Sequence, residues 1–74
     1  MSRMKELRKA KGYTQVKMQM LTGIDQSDYS KLETGVRNLT FEQCRSIAQV
    51  LETSMDYLAG LTDDPRPYPR AEKH

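Results

Sequence analysis

The chain has 74 residues, a net charge of +2 and a mean hydropathy of −0.80, enough for one small domain that buries only about 60% of its unfolded surface, so self-association is a natural source of stability. No apolar run approaches the roughly 18 residues of a membrane span, and the start MSRMKELRKAKG is charged without an apolar core, which argues for a cytoplasmic protein with no membrane partner. One cysteine, Cys44, and one histidine, His74, exclude an intramolecular disulfide and a cysteine metal cluster, and no nucleophile, base and orienting group recur at a catalytic spacing; an enzyme, a cofactor or a metal site is not expected.

In chain order, the pattern predicts a first helix over about Ser2 to Lys11, burying Met4 and Leu7 and stopped by Gly12, with Tyr13 packed beneath the next helix. Thr14 is a good N-cap for a second helix opening at Gln15, with Met18 and Leu21 turned inward and Val16 and Met20 flanking them. Gly23 ends it, because only glycine enters the left-handed conformation at little cost. Ile24 supplies a buried contact just past that stop, and Asp25 caps a third helix from Gln26 to about Thr34, followed by Gly35. A fourth helix runs from Phe41 to Glu52, with Thr40 and Gln43 as a capping box and Phe41, Cys44, Ile47, Ala48 and Leu51 on its inner face. Cys44 belongs with that packing, as a small buried thiol behaves like a hydrophobe. A short fifth helix, capped by Ser54, continues through Met55, Tyr57 and Leu58 to Ala59. Residues 1–61 therefore form an all-α domain, and 62–74 a polar tail with Pro65, Pro67 and Pro69 that is expected to be flexible or extended. Arg66, Tyr68 and Arg70 could instead dock on a second subunit or reach a phosphate, whereas His74 belongs to the terminus rather than to a site.

The second and third helices, joined within about three residues, have the layout of a helix-turn-helix that reads DNA. At about 100° per residue from Gln26, Ser30 falls near 40°, Ser27 near 100° and Lys31 near 140°, so these four share one polar face. Tyr29, Leu32 and Glu33 fall near 300°, 240° and 340° and can pack on the preceding helix. A polar face is ordinarily just a wet one, but glutamine can bond adenine bidentately, lysine can bond guanine, and serine either. Asp28 points sideways, either to accept from cytosine or to discourage wrong phosphate contacts.

With LRKAKGYTQ at Leu7 to Gln15, the Gly23-Ile24 turn, SKLETG at Ser30 to Gly35 and AQVLETSMDYLAG at Ala48 to Gly60, the chain resembles the lambda-repressor-like helix-turn-helix family of phage repressors, Cro proteins and small XRE-type bacterial regulators. The resemblance covers about Arg3 to Gly60 and implies five helices, the third in the major groove of double-stranded DNA, and a homodimer on a two-fold symmetric operator. Carried over by position, it implies base contacts from Gln26, Ser27, Ser30 and Lys31 and backbone contacts from Thr14, Gln15, Thr34, Arg37, Asn38 and Thr40, with Gln15 also bracing Gln26. It further implies a partly buried ion pair between Arg8 and Glu33, and a dimer surface around Met55, Tyr57 and Leu61. The family usually has a small residue where this chain has Gln19, an aliphatic one at Tyr29, and often proline at Thr40. Gln19 and Tyr29 both face the helix crossing, so the amide and hydroxyl are expected to satisfy each other or a shared water.

Charge is divided along the chain. Residues 1–37 hold eight basic and four acidic side chains, a net of +4, while residues 38–64 hold one basic and five acidic, a net of −4. That split suits one face turned toward a polyanion. The expected function is thus a bacterial or phage-encoded transcriptional regulator, a repressor by choice, with no small-molecule ligand evident. The alternative is a protein-interaction module or antitoxin-type partner of the same fold, which the acidic second half favours.

Overall fold

A computed structural model describes residues 2–69, which hold five helices and no strand: α1 Arg3–Ala10, α2 Gln15–Thr22, α3 Gln26–Thr34, α4 Phe41–Val50 and α5 Met55–Ala59. Every one opens on a side chain that accepts a backbone N–H of its first turn: Ser2 from Lys5, Thr14 from Lys17, Asp25 from Ser27, Thr40 from Gln43 and Ser54 from Tyr57. Such capping satisfies donors that a helix cannot pair internally. At α4 the box is complete, since Gln43 Oε1 also accepts from the Thr40 N–H at 3.0 Å.

The elements differ from the sequence expectation mainly at one helix end. α4 stops at Val50 rather than Glu52, because Leu51 is already the cap and Glu52 takes a left-handed φ of +55°. Its carboxylate accepts from Lys11 Nζ at 2.6 Å, tying the end of α4 to the end of α1. Thr53 and Ser54 are consequently buried, which seats the cap of α5 inside the fold.

α2 lies at the centre and packs on α3 and α4, while α5 joins α4 to α1. The core is Met4 from α1, Met18 from α2, Tyr29 and Leu32 from α3, Ile47 from α4, and Leu51. Leu7, Tyr13, Ile24, Leu39, Val50 and Leu58 close around it. Cys44 is buried, and desolvation pushes its thiol pKa up, which keeps it in the inert thiol form. Two expected core positions are not in the core. Leu21 is 43% exposed, lying about 60° round α2 from the fully buried Met18, and Phe41 is 68% exposed, as the first residue of α4, at the end away from Ile47 and Leu51.

The chain beyond α5 is held by specific bonds as far as it is described. Arg3 donates to the carbonyls of Tyr57 and Thr62 at 2.8 and 2.6 Å and to the Asp63 carboxylate at 2.7 Å, with its guanidinium 4.3 Å over the Tyr57 ring. Thr53 Oγ1 donates to the Pro65 carbonyl at 2.7 Å, and Tyr68 Oη to Asp56 at 2.8 Å. Arg70 and His74 lie outside the described residues. Among the described residues no helix is long and apolar enough to cross a membrane.

Candidate nucleic-acid interface

The joint between α2 and α3 sets the site. Gly23 holds φ +77°, the left-handed conformation, and its N–H returns to the Gln19 carbonyl at 2.9 Å, which closes α2. Only Ile24 and the cap Asp25 then intervene before α3. One side of α3 is buried through Tyr29, Leu32 and Glu33. The other presents Gln26, Ser27 and Lys31 to solvent, with Ser30 half-buried between them.

Beneath that face lies a charged joint. Arg8 Nε donates to Glu33 Oε2 at 2.6 Å, Arg8 Nη2 to Glu33 Oε1 at 3.2 Å, and Arg8 Nη1 to the Tyr13 carbonyl at 2.9 Å. Burial alone would raise the Glu33 carboxyl, but the Arg8 bonds, with the Tyr29 hydroxyl and Gln15 behind them, outweigh it and hold the pKa below the ordinary glutamate value. Burial first, and then the same carboxylate, push the Tyr29 phenol well above its usual range. The Tyr29 hydroxyl is buried and closes no hydrogen bond of good geometry, although it sits beside the pair.

Two expectations at this crossing are corrected. Gln19 and Tyr29 do not satisfy each other: Gln19 is exposed, and its Oε1 accepts from the Gln26 backbone N–H at 2.7 Å. Gln15 does not brace Gln26, because its amide donates inward to Glu33 Oε1 at 3.3 Å. The longer residue at position 19 leans outward across the turn, so the helices need not separate to hold it. Gln19 is the residue that sequence reasoning misplaced; the available signal was an acceptor-bearing side chain one turn before the glycine, within reach of the next helix start.

The expected backbone-gripping residues lie around the ends of these helices. Thr14 and Thr40 are exposed caps of α2 and α4. Thr34 Oγ1 donates to the Ser30 and Lys31 carbonyls at 3.2 and 3.3 Å, and Arg37 and Asn38 follow in an exposed loop. Arg37 Nη1 also reaches Asp28 Oδ1 at 3.2 Å, so Asp28 holds the arginine against the side of α3. Of the residues expected at a dimer surface, Leu61 is 79% exposed, while Met55 and Tyr57 are half-buried and Tyr57 stacks under Arg3.

Pairing narrows the charge split, because Arg3 and Lys11 of the first half meet Asp63 and Glu52 of the second. Each acidic residue of the second half is engaged: Glu42 with Arg45, Glu52 with Lys11, Asp56 with Tyr68, Asp63 with Arg3 and Asp64 with Arg66. Among the described residues Lys5, Lys9, Lys17 and Lys31 have no carboxylate within ion-pair distance, and the last two stand on α2 and α3. Among the described residues, the region from α1 to α3 therefore keeps four unpaired lysines against two acids without an ion pair, Glu6 and Asp25.

Five capped helices with the second and third crossed through a glycine turn define the lambda-repressor-like class of helix-turn-helix domains. The chain belongs to this helix-turn-helix family, of the Cro and XRE type, matching it over residues 4–58. It is also 34% identical over 65 residues, 88% of its own length, to YobD of Bacillus subtilis (strain 168), an uncharacterized HTH-type transcriptional regulator. The chain spans 58% of that relative's length. No solved structure matches it.

Proposed function

We propose that the chain is a sequence-specific DNA-binding transcriptional regulator, acting as a homodimeric repressor in the cytoplasm of a bacterial cell. Exposed lysines of α1 to α3, with Arg37 just beyond, attract phosphate, a contribution that falls steeply with salt. Gln26, Ser27, Ser30 and Lys31 then meet base edges with α3 in the major groove, while Thr14, Gln15, Thr34, Arg37, Asn38 and Thr40 hold the backbone. Pairing through the α5 end, with Leu61 central, would set two copies of α3 roughly 34 to 36 Å apart, so the operator is an inverted repeat with half-sites one turn apart. The observation that carries this reading is α3 itself: one side is locked into the core, and the other, polar and exposed, includes the unpaired Lys31.

Selection of bound fragments from random double-stranded DNA tests it. An enriched two-fold symmetric motif whose binding weakens with salt is the expected result. A chain that enriches nothing, or binds all fragments alike, would instead be the interaction module or antitoxin partner considered above. The internal engagement of all five acids in the second half leaves that surface less free for a basic partner than its composition suggested.

A further inference from the structure

We propose that Gln19 is a positioning residue for base readout: by accepting the first N–H of α3, it fixes the start of that helix and with it the aim of Gln26. Its Oε1 lies 2.7 Å from the Gln26 backbone nitrogen, seven residues on and across the turn. Asp25 caps the adjacent donor, Ser27 N–H, at 3.0 Å. Two of the orphan donors of α3 are thus held, one by the local cap and one by a side chain of α2. The Gln19 bond is the only side-chain hydrogen bond among those described that runs directly from α2 to the exposed end of α3; Gln15 runs instead to Glu33 on the buried side. Rotation of α3 about its buried residues is therefore resisted at the end where Gln26 must meet a base, and small misplacement of a hydrogen-bonding group weakens a bidentate contact sharply. Gln19 itself is exposed, so its influence on folding is small.

This inference rests on the DNA-binding reading, and the test separates the two. Gln19→Met keeps length and removes the acceptor, whereas Gln19→Glu keeps an acceptor oxygen in the same place. Without DNA, amide exchange at Gln26 should quicken by about three- to tenfold in Gln19→Met and stay near wild type in Gln19→Glu, with the thermal midpoint of both close to wild type. With DNA, the ratio of affinities for the selected operator and for its variant at the base read by Gln26 should fall by about three- to tenfold in Gln19→Met and be retained in Gln19→Glu. The ratio is used because the added charge of glutamate lowers affinity for all DNA. Unchanged exchange and an unchanged ratio in Gln19→Met would overturn the proposal, as would a Gln19→Glu variant no better than Gln19→Met. A wild-type chain with no preferred DNA removes the proposed function and the readout role together, even if the exchange result shows the bond.

Discussion

Arg8 and Glu33, 25 residues apart, form a forked ion pair at 2.6 and 3.2 Å with side chains only 10% and 3% exposed. A buried pair adds little net stability once desolvation is counted, but removing one partner strands the other charge. Arg8 has nowhere else to place two of its donors, and its third is fixed on the Tyr13 carbonyl. Glu33→Ala should therefore destabilise the domain by about 3–5 kcal/mol, comparable with the whole stability of a chain this size. A urea melt showing a loss below about 1 kcal/mol would mean that the pair is not buried in solution.

The same pair gives an acid dependence whose sign follows from Glu33. Its pKa in the fold is lower than the ordinary 4.5 of the unfolded chain, so the folded state binds the proton less readily. The contribution is complete above that ordinary value and is lost as pH falls through the lower folded pKa. Urea midpoints should be flat near neutrality and fall in acid, and a Glu33→Gln variant, already weaker, should show a shallower acid fall over that window.

Tyr29 carries the one buried side-chain polar atom without a hydrogen bond among the described residues. Its ring is wholly buried in the core with Met18 and Ile47. Tyr29→Phe keeps that packing and removes the desolvated hydroxyl, so it should leave stability unchanged or raise it by up to about 1 kcal/mol. Loss of more than about 1 kcal/mol in a urea melt would show that the hydroxyl does bond the Glu33 carboxylate in solution.

Caps and glycines made the helix starts and stops legible, because they act on their own neighbours: Thr14, Asp25, Thr40 and Ser54 each cap the helix that follows. The buried side of α3 was legible from its period, and Tyr29, Leu32 and Glu33 all lie inside. What could not be read was where long polar side chains turn. Gln15 and Gln19 differ by one helical turn and have the same chemistry, yet one bonds inward to Glu33 and the other across to Gln26. The choice depends on three-dimensional reach, and nothing local decides it. Leu21 and Phe41 illustrate the same limit for apolar residues, since periodicity marks a face but not how far the partner helix extends over it. The end of α4 escaped for a further reason: Glu52 adopts a left-handed backbone that glutamate seldom takes, at a place where Lys11 can meet it.

Readout and grip should separate in mutants of α3 and the loop after it. Gln26 is exposed at the start of α3, and Gln26→Ala should cost about 1–3 kcal/mol on the selected operator and relax preference at one base pair. Arg37→Ala should weaken all sequences alike and reduce the salt slope by roughly one. Because Asp28 holds Arg37 at 3.2 Å, Asp28→Asn should free the arginine and remove a negative charge, strengthening binding to scrambled and specific DNA together. Fluorescence anisotropy titrations at several salt concentrations distinguish these patterns. Equal losses on operator and scrambled DNA for Gln26→Ala would exclude direct readout by that side chain.

Self-association is the remaining element of the proposed mechanism, and Leu61 is its most accessible probe. The residue is 79% exposed just past α5, yet its backbone N–H is fixed to the Asp56 carbonyl at 2.8 Å, so the apolar side chain is presented from a held position. A charge there would be desolvated on dimer formation without a partner, a cost of several kcal/mol at a two-fold interface where it occurs twice. Within the monomer the same charge remains in water, so Leu61→Glu should leave the urea midpoint at low concentration close to wild type. Sedimentation should show fewer dimers and operator binding should weaken, while the affinity of a single half-site is retained. A variant that sediments as the wild type does would move the pairing surface away from α5.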